Sequence, residues 1–224
     1  MLMVQFFFVE AKMFILFEGQ EGVGKTTIAR RFVEALTVLG ITPLAVREPG
    51  GTEAGAAIRE VLLNPTSKLT ALAEFFLLQA SRAQLLKERV EPELFRGGVV
   101  VMDRYSLSTL AYQVAGRGLP LAPVLSTLDF ATGRLIPDIT ILLTASVDVG
   151  HARQAQMKKV ADRFEAEEEA FHQRVHDGYR SFAAVLPKWN IRTIDTNSLS
   201  EDEVYWRVVQ EIAKVWQPAM KLVR

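Results

Sequence analysis

The stretch that most constrains this chain is Gly19–Thr26, G-Q-E-G-V-G-K-T, which fits the pattern G-x-x-x-x-G-K-[ST]. In a glycine-rich turn of this kind successive backbone N–H groups converge on one concavity. The helix that follows adds the positive end of its dipole. Gly19 and Gly24 permit backbone angles and a closeness of approach that a Cβ would forbid. Lys25 can reach β- and γ-phosphates, and the Thr26 hydroxyl can coordinate Mg²⁺. Eight residues can match by chance, so context decides: a buried strand must precede the loop and a helix must follow it. Met13–Phe17, MFILF, is an apolar run suited to a buried parallel strand. Ile28, Phe32, Ala35, Leu36 and Leu39 then recur at helical spacing until Gly40 closes the pattern. Both conditions hold. The loop is expected to bind a nucleotide tail through Gly19, Gln20, Glu21, Gly22, Val23, Gly24, Lys25, Thr26 and Thr27.

Downstream, short apolar runs alternate with helical patterns. Strands are expected at Thr42–Val46, Val99–Met102, Ile139–Leu143 and Ile191–Ile194. Between them, Ala54–Leu63 reads as a helix with Ile58, Val61 and Leu62 inward, ended by Asn64-Pro65. Leu69–Phe95 reads as one long helix with an apolar stripe of Leu72, Phe76, Ala83, Leu86 and Val90. Ser106–Ala115, Pro123–Thr132, His151–Met157, the stretch from Phe171 through Tyr179 to Leu186, and the stretch from Val204 to Val215 complete the helices. With Met13–Phe17 this predicts an α/β domain of three layers, α/β/α, around a five-stranded parallel sheet. One domain over 13–216 is expected, followed by a tail at 217–224. Residues 1–12 read as a leader, disordered or forming an edge strand, because Gln5, Glu10 and Lys12 interrupt their apolar run and no basic segment opens it.

Lys plus Arg and Asp plus Glu both number 26, so the formal charge is zero and nothing favours broad adhesion to nucleic acid or a membrane surface. No cysteine is present, which removes disulfides and thiolate metal sites and fits a cytoplasmic protein. Charged residues instead gather where the strands end, at Arg47-Glu48, at Asp103-Arg104, and from Arg153 to Arg163. Ligands of open α/β sheets bind outside the carboxyl ends of the strands. Phosphoryl transfer needs in-line positioning and neutralisation of spread negative charge. Arginine binds phosphate with a charged fork, and a carboxylate such as Asp103 suits Mg²⁺. No N-K-x-D motif points to a guanine switch, and His151, His172 and His176 read as surface or packing residues.

FEGxEGxGKTT at Phe17–Thr27, REPGGT at Arg47–Thr52, GxxIR at Gly55–Arg59, DRYxxSxxAYQ at Asp103–Gln113, GRGL at Gly116–Leu119 and PDxTxxL at Pro137–Leu143 together resemble bacterial thymidylate kinases. DRFE at Asp162–Glu165 and FHxRVxxGY at Phe171–Tyr179 extend the likeness from Phe14 to about Asp195. The resemblance implies a nucleoside monophosphate kinase-like fold and transfer of the γ-phosphoryl of ATP to dTMP with Mg²⁺ held at Thr26 and Asp103. It implies Lys25, Asp103, Arg104 and Arg153 as the catalytic set. Glu21 would hold the sugar 3′-hydroxyl, Arg59 and Arg104 the acceptor phosphate, and Arg82, Thr109 and Gln113 the thymine edge. Tyr112 would crowd the 2′ position, Tyr105 would pack near the sugar, and Arg47, Glu48 and Leu78 would join the substrate site. The loop carries no basic residue at Gln20, Glu21 or Val23, so the resemblance places the transition-state cation in a lid at about 153–163, among Arg153, Lys158, Lys159 and Arg163. It further implies a homodimer. Leu78 stands where the family usually has phenylalanine, Ala56 replaces a usual glutamate and Thr144 a usual aspartate or asparagine. Two other readings stay open at this point: a kinase for another nucleoside monophosphate, and a nucleotide-binding module without turnover.

Overall fold

Strand β1 (Met13–Glu18) is buried on both faces along its whole length, and the rest of the molecule is layered on it. The computed structural model describes residues 12–156 and 161–223; the expected leader lies outside these apart from Lys12. Five parallel strands, β1, β2 (Leu44–Arg47), β3 (Val99–Asp103), β4 (Ile139–Thr144) and β5 (Ile191–Asp195), line up in the order β2-β3-β1-β4-β5. Each begins or ends within two residues of its expected bounds. β1 sits where the chain reverses direction across the sheet, so its carboxyl end opens a crevice beside β3.

Side-chain alternation along β1 builds a core on each face. Met13, Ile15 and Phe17 pack with Ile28, Phe32 and Leu36 of α1 (Lys25–Val38) and with Val208, Val209 and Ile212 of α9 (Glu201–Ala213). Phe14 and Leu16 face the other way, against Leu85, Leu86, Val90 and Leu94. Between these elements run α2 (Glu53–Leu63), α5 (Ser106–Thr109), α6 (Leu121–Thr132), α7 (Val147–Gln156) and α8 (Glu169–Val185). Residues 217–222 form a 3₁₀ turn, and Ala219 within it is fully buried against the α1 side of the core. Among the described residues no helix is long and apolar enough to cross a membrane.

The long helix departs from its expected form. It runs as α3 (Ala71–Leu85), a wider π-helical turn at Leu86–Val90, and α4 (Glu91–Phe95). Leu72 and Phe76, expected inside, are more than half exposed, while Glu74, Phe75, Gln79, Ser81 and Arg82 are buried. The inner face of α3 is polar because it borders a cavity. The wider turn then re-phases the helix, bringing Leu86, Val90 and Leu94 onto the sheet at spacings of four. In α2, likewise, Leu62 is buried but Val61 is 45% exposed.

Candidate active site

The phosphate loop, residues 19–24, connects β1 to α1. Gly19 has φ of +136°, and a Cβ there would stand 2.1 Å from the Leu143 carbonyl oxygen of β4, so no other residue fits. α2, α3 and α9 have their first turns capped by the side chains of Thr52, Thr70 and Ser200, whereas α1 has no side-chain cap and no acid in its first turn. Its leading amides are left for an anion. Lys25 is buried, and its Nζ donates to the Gln20 carbonyl at 2.6 Å across the loop. Burial, reinforced by the Arg104 charge, pulls its pKa down to about 8.

The loop opens into a cavity of about 460 Å³. Glu21, Gly22, Gly24, Lys25, Thr26 and Thr27 form one end. Thr26 Oγ1 donates to Asp103 Oδ2 at 2.7 Å, and Asp103 Oδ1 is buried without a hydrogen-bond partner among the described residues. A hydroxyl beside a carboxylate with an oxygen to spare is a donor set that fits a hard divalent cation.

Arg47, Arg59 and Arg104 line the same end and bring three guanidinium groups to the loop's mouth. Parallel register places them: Arg47 pairs with Asp103, and Asp103 with Phe17. Arg59 Nη1 donates to the Pro49 carbonyl at 2.9 Å. Arg104 adopts φ of +72°; its amide donates to the Phe17 carbonyl, and its Nη2 meets Glu21 Oε1 at 2.7 Å. The Tyr112 hydroxyl donates to the other Glu21 oxygen.

Beneath Arg104 lies a buried carboxylate that sequence reasoning passed over. Glu18, the last residue of β1, accepts from the amides of Tyr105 and Ser108 at 2.8 and 3.2 Å and from the Ser108 hydroxyl at 2.6 Å. The Tyr179 hydroxyl, which also reaches Arg104, lies 3.4 Å away. Burial raises the Glu18 carboxyl's pKa, against the pull of the Ser108 hydrogen bond. This cluster fixes the turn after β3 that aims Arg104 at the cavity.

At the far end α3 faces the helix that begins with α5 and continues as a π-helical segment, Leu110–Gly116. Glu74, Leu78 and Arg82 are spaced by four, as are Thr109, Gln113 and Arg117, so each set shares one helix face. Leu78, Arg82, Thr109 and Gln113 line the cavity. Glu48 holds Arg82 from below through Nε at 2.8 Å and Nη2 at 2.5 Å, and both residues are buried. Burial pushes the Glu48 carboxyl's pKa up, against the Arg82 charge. Glu74, also missed, accepts from Gln113 Nε2 at 2.8 Å and from Arg117 Nη2 at 3.0 Å. Its one signal in the sequence was the four-residue step to Leu78.

Five expected site residues have their side chains elsewhere. Tyr105 does not reach the cavity: its ring packs edge-on against Phe14 and under Arg82, and its hydroxyl donates to the Leu135 carbonyl. Arg153 donates to the Thr196 hydroxyl and carbonyl at 3.0 and 2.7 Å, beyond the end of β5 rather than at the phosphate loop. Arg163 donates to the Leu62 carbonyl, with Nη2 2.8 Å from Glu74 as an ion pair. Val23 belongs to the hydrophobic core, and the Gln20 side chain turns to the Ala145 carbonyl, so only their backbones can serve a nucleotide. Lys158 and Lys159 lie outside the described residues. From this segment Gln154, Asp162, Phe164 and Glu165 line the cavity instead; the last three belong to the DRFE motif, in which only Arg163 carries an expected site role, and Gln154 carries no local signal.

An uncapped helix behind a glycine loop, facing a second anion site across a cavity on a 2-3-1-4-5-type parallel sheet in which β1 holds the switch point, defines a phosphate-loop kinase of the nucleoside monophosphate class. The family model described as Thymidylate kinase matches residues 17–205, and the chain belongs to the thymidylate kinase family. It is 45% identical over 177 residues to a thymidylate kinase of Pseudomonas fluorescens, covering 79% of this chain and 84% of that one. It is 42% identical over 204 residues to one from Nostoc, covering 90% and 95%. The crystal structure of thymidylate kinase from Ehrlichia chaffeensis superposes with a TM-score of 0.72 at 26% identity, covering 89% of this chain and 98% of that one.

Proposed function

We propose that this chain transfers the γ-phosphoryl group of ATP to dTMP, giving dTDP and ADP, with the two nucleotides meeting in the cavity beneath Arg47, Arg59 and Arg104. The observation that carries the reading is the cavity itself. One end is a cradle of amides with Lys25, and the other is a buried polar pair, Arg82 and Gln113, on two facing helices.

The ATP tail lies on the loop amides with Lys25 against its phosphates. Arg59 and Arg104 take the acceptor phosphate and turn its oxygen toward the donor. That acceptor is already an anion, so no strong general base is required; the work is alignment and charge neutralisation. Thr26 and Asp103 would hold Mg²⁺, which offsets charge on the transferring phosphate oxygens. Glu21, steadied by Arg104 and Tyr112, accepts the sugar 3′-hydroxyl, and the Tyr112 ring closes the space a 2′-hydroxyl would need.

Arg82 carries five N–H bonds. Nε is spent on Glu48, Nη1 on Gln79 and Thr109, and Nη2 on Glu48 with one hydrogen remaining. That hydrogen suits a base carbonyl. Leu78 forms the wall beside it.

Two further parts belong to this reading. A homodimer is supported by the apolar surface left open on adjoining helices, Leu72 and Phe76 on α3 and Leu121 and Phe130 on α6. A cytoplasmic location follows from ATP and a nucleoside monophosphate as substrates. The test is ATP consumption against dTMP, dUMP, dCMP, dGMP, UMP and AMP in parallel. The expected result is preference for dTMP; preference for another acceptor, or none despite ATP binding, overturns the proposal.

A further inference from the structure

Gln113 is 1% exposed, donates from Nε2 to Glu74 Oε1 at 2.8 Å, and leaves Oε1 buried without a hydrogen-bond partner among the described residues. Glu74 is equally buried, on the neighbouring helix. Arg117 reaches it through Nε at 3.2 Å and Nη2 at 3.0 Å, and Arg163 Nη2 lies 2.8 Å from it. Facing two guanidinium groups, Glu74 offers acceptor oxygens alone.

We infer that Glu74 is a specificity-determining positioning residue: it locks the Gln113 amide in the orientation that presents an acceptor to the base, and so selects thymine over cytosine. The inference rests on the reading of the preceding section and adds to it a residue that touches no substrate. A glutamine amide carries an acceptor oxygen and a donor NH₂ of nearly the same size, so its hydrogen-bond partners decide which way it faces. Here the flipped amide would set Gln113 Oε1 against Glu74 Oε1, two lone-pair-bearing oxygens in a dry site, with the Nε2 hydrogens lost to it. That arrangement is disfavoured.

The consequence follows from base chemistry. Thymine and uracil present an N3–H donor beside the O4 acceptor; cytosine presents an N3 acceptor beside the N4 amino donor. A fixed acceptor at Gln113 and a spare donor at Arg82 match the first pattern and oppose the second at both positions. A free amide could turn its Nε2 to cytosine N3 and recover one of the two bonds. Discrimination at this edge therefore depends on Glu74 as well as on the two residues that meet the base. The thymine methyl group lies off this edge and is read independently of it.

The test is the ratio of kcat/KM for dTMP to that for dCMP in the intact enzyme and in Glu74→Gln, with the dTMP to dUMP ratio as the internal standard. Because buried polar mismatches carry large discrimination, the first ratio should fall at least about tenfold while the second stays unchanged. A merely structural role would lower all three substrates together. The exchange Glu74→Gln with Gln113→Glu, which again pairs a donor with an acceptor and leaves a carboxylate oxygen for N3–H, should restore the ratio. An unchanged dTMP to dCMP ratio in Glu74→Gln, or no restoration in the folded exchange variant, overturns the inference while leaving dTMP as substrate. No turnover of dTMP by the intact enzyme overturns both this and the preceding reading. Should both variants fail to fold, the intact chain decides by side-chain NMR with ¹⁵N-labelled glutamine. One slowly exchanging Gln113 amide proton supports the lock, and two freely exchanging protons overturn it.

Discussion

Thr26 Oγ1 donates to Asp103 Oδ2 at 2.7 Å, which ties the first turn of α1 to the carboxyl end of β3 at the place where the two nucleotide tails would meet. If this pair holds Mg²⁺, Thr26→Ala and Asp103→Asn should each lower kcat by roughly 100-fold, a few kcal/mol of charge stabilisation. Steady-state rates across a Mg²⁺ titration check this, and Asp103→Asn should shift the half-maximal concentration upward. An unaltered Mg²⁺ dependence would exclude the pair as metal ligands.

Lys25 gives a prediction with a sign. Its pKa stands near 8 in the folded chain against 10.5 for a free lysine. Below about 8 the folded and unfolded chains both carry the charge; between 8 and 10.5 the unfolded chain holds a proton the folded one has lost. The ligand-free protein should therefore gain stability as pH rises through that window, because the unfolded state binds more protons. Bound phosphates would restore the charge, so ATP binding near pH 8 should take up protons. Calorimetry in two buffers of different ionisation enthalpy measures the uptake, and Lys25→Met should abolish it and cut turnover roughly 100- to 1,000-fold.

Glu48 and Arg82 form a buried ion pair beneath the base end of the cavity. Glu48→Ala should destabilise the chain by about 3–5 kcal/mol, since it leaves an uncompensated buried guanidinium, while replacing both by leucine should cost much less. Urea unfolding distinguishes these outcomes. Both variants should lose dTMP affinity, which separates the pair's part in recognition from its part in stability.

Leu78 lines the cavity one helical turn from Arg82. An aromatic ring there adds an offset-stacking gain of about 0.5–1.5 kcal/mol. Leu78→Phe should accordingly lower KM for dTMP roughly 2- to 10-fold. An unchanged or raised KM would mean that the base lies against a different wall.

Most of the framework was legible in the sequence because its signals are local. A glycine loop between an apolar strand and an amphipathic helix can be recognised without knowing what packs against it, and Arg47, Asp103 and Arg104 mark strand ends by adjacency alone. The departures from the expected placements share one cause. Leu72 and Phe76 keep helical period but lie outside, because the inner face of α3 is given to Glu74, Gln79 and Arg82. Tyr105, Arg153 and Arg163 are fixed by the Leu135 carbonyl, by Thr196 and by Glu74, partners 30 to 89 residues away. Glu18 looks like an ordinary strand-terminal acid until Ser108 and Tyr179 close over it. Periodicity reports which residues share a face and is silent on what that face meets.

The phosphate loop and α7 meet through bare backbone. Gly22 of the phosphate loop runs so close to Gly150 of α7 that a Cβ on Gly22 would stand 2.2 Å from the Gly150 carbonyl oxygen. With main chain against main chain, no flexible side chain remains to absorb a displacement. Any side chain at Gly22 would therefore have to part the phosphate loop from α7, so the curvature of the nucleotide cradle is set by bare main chain on both sides of this contact.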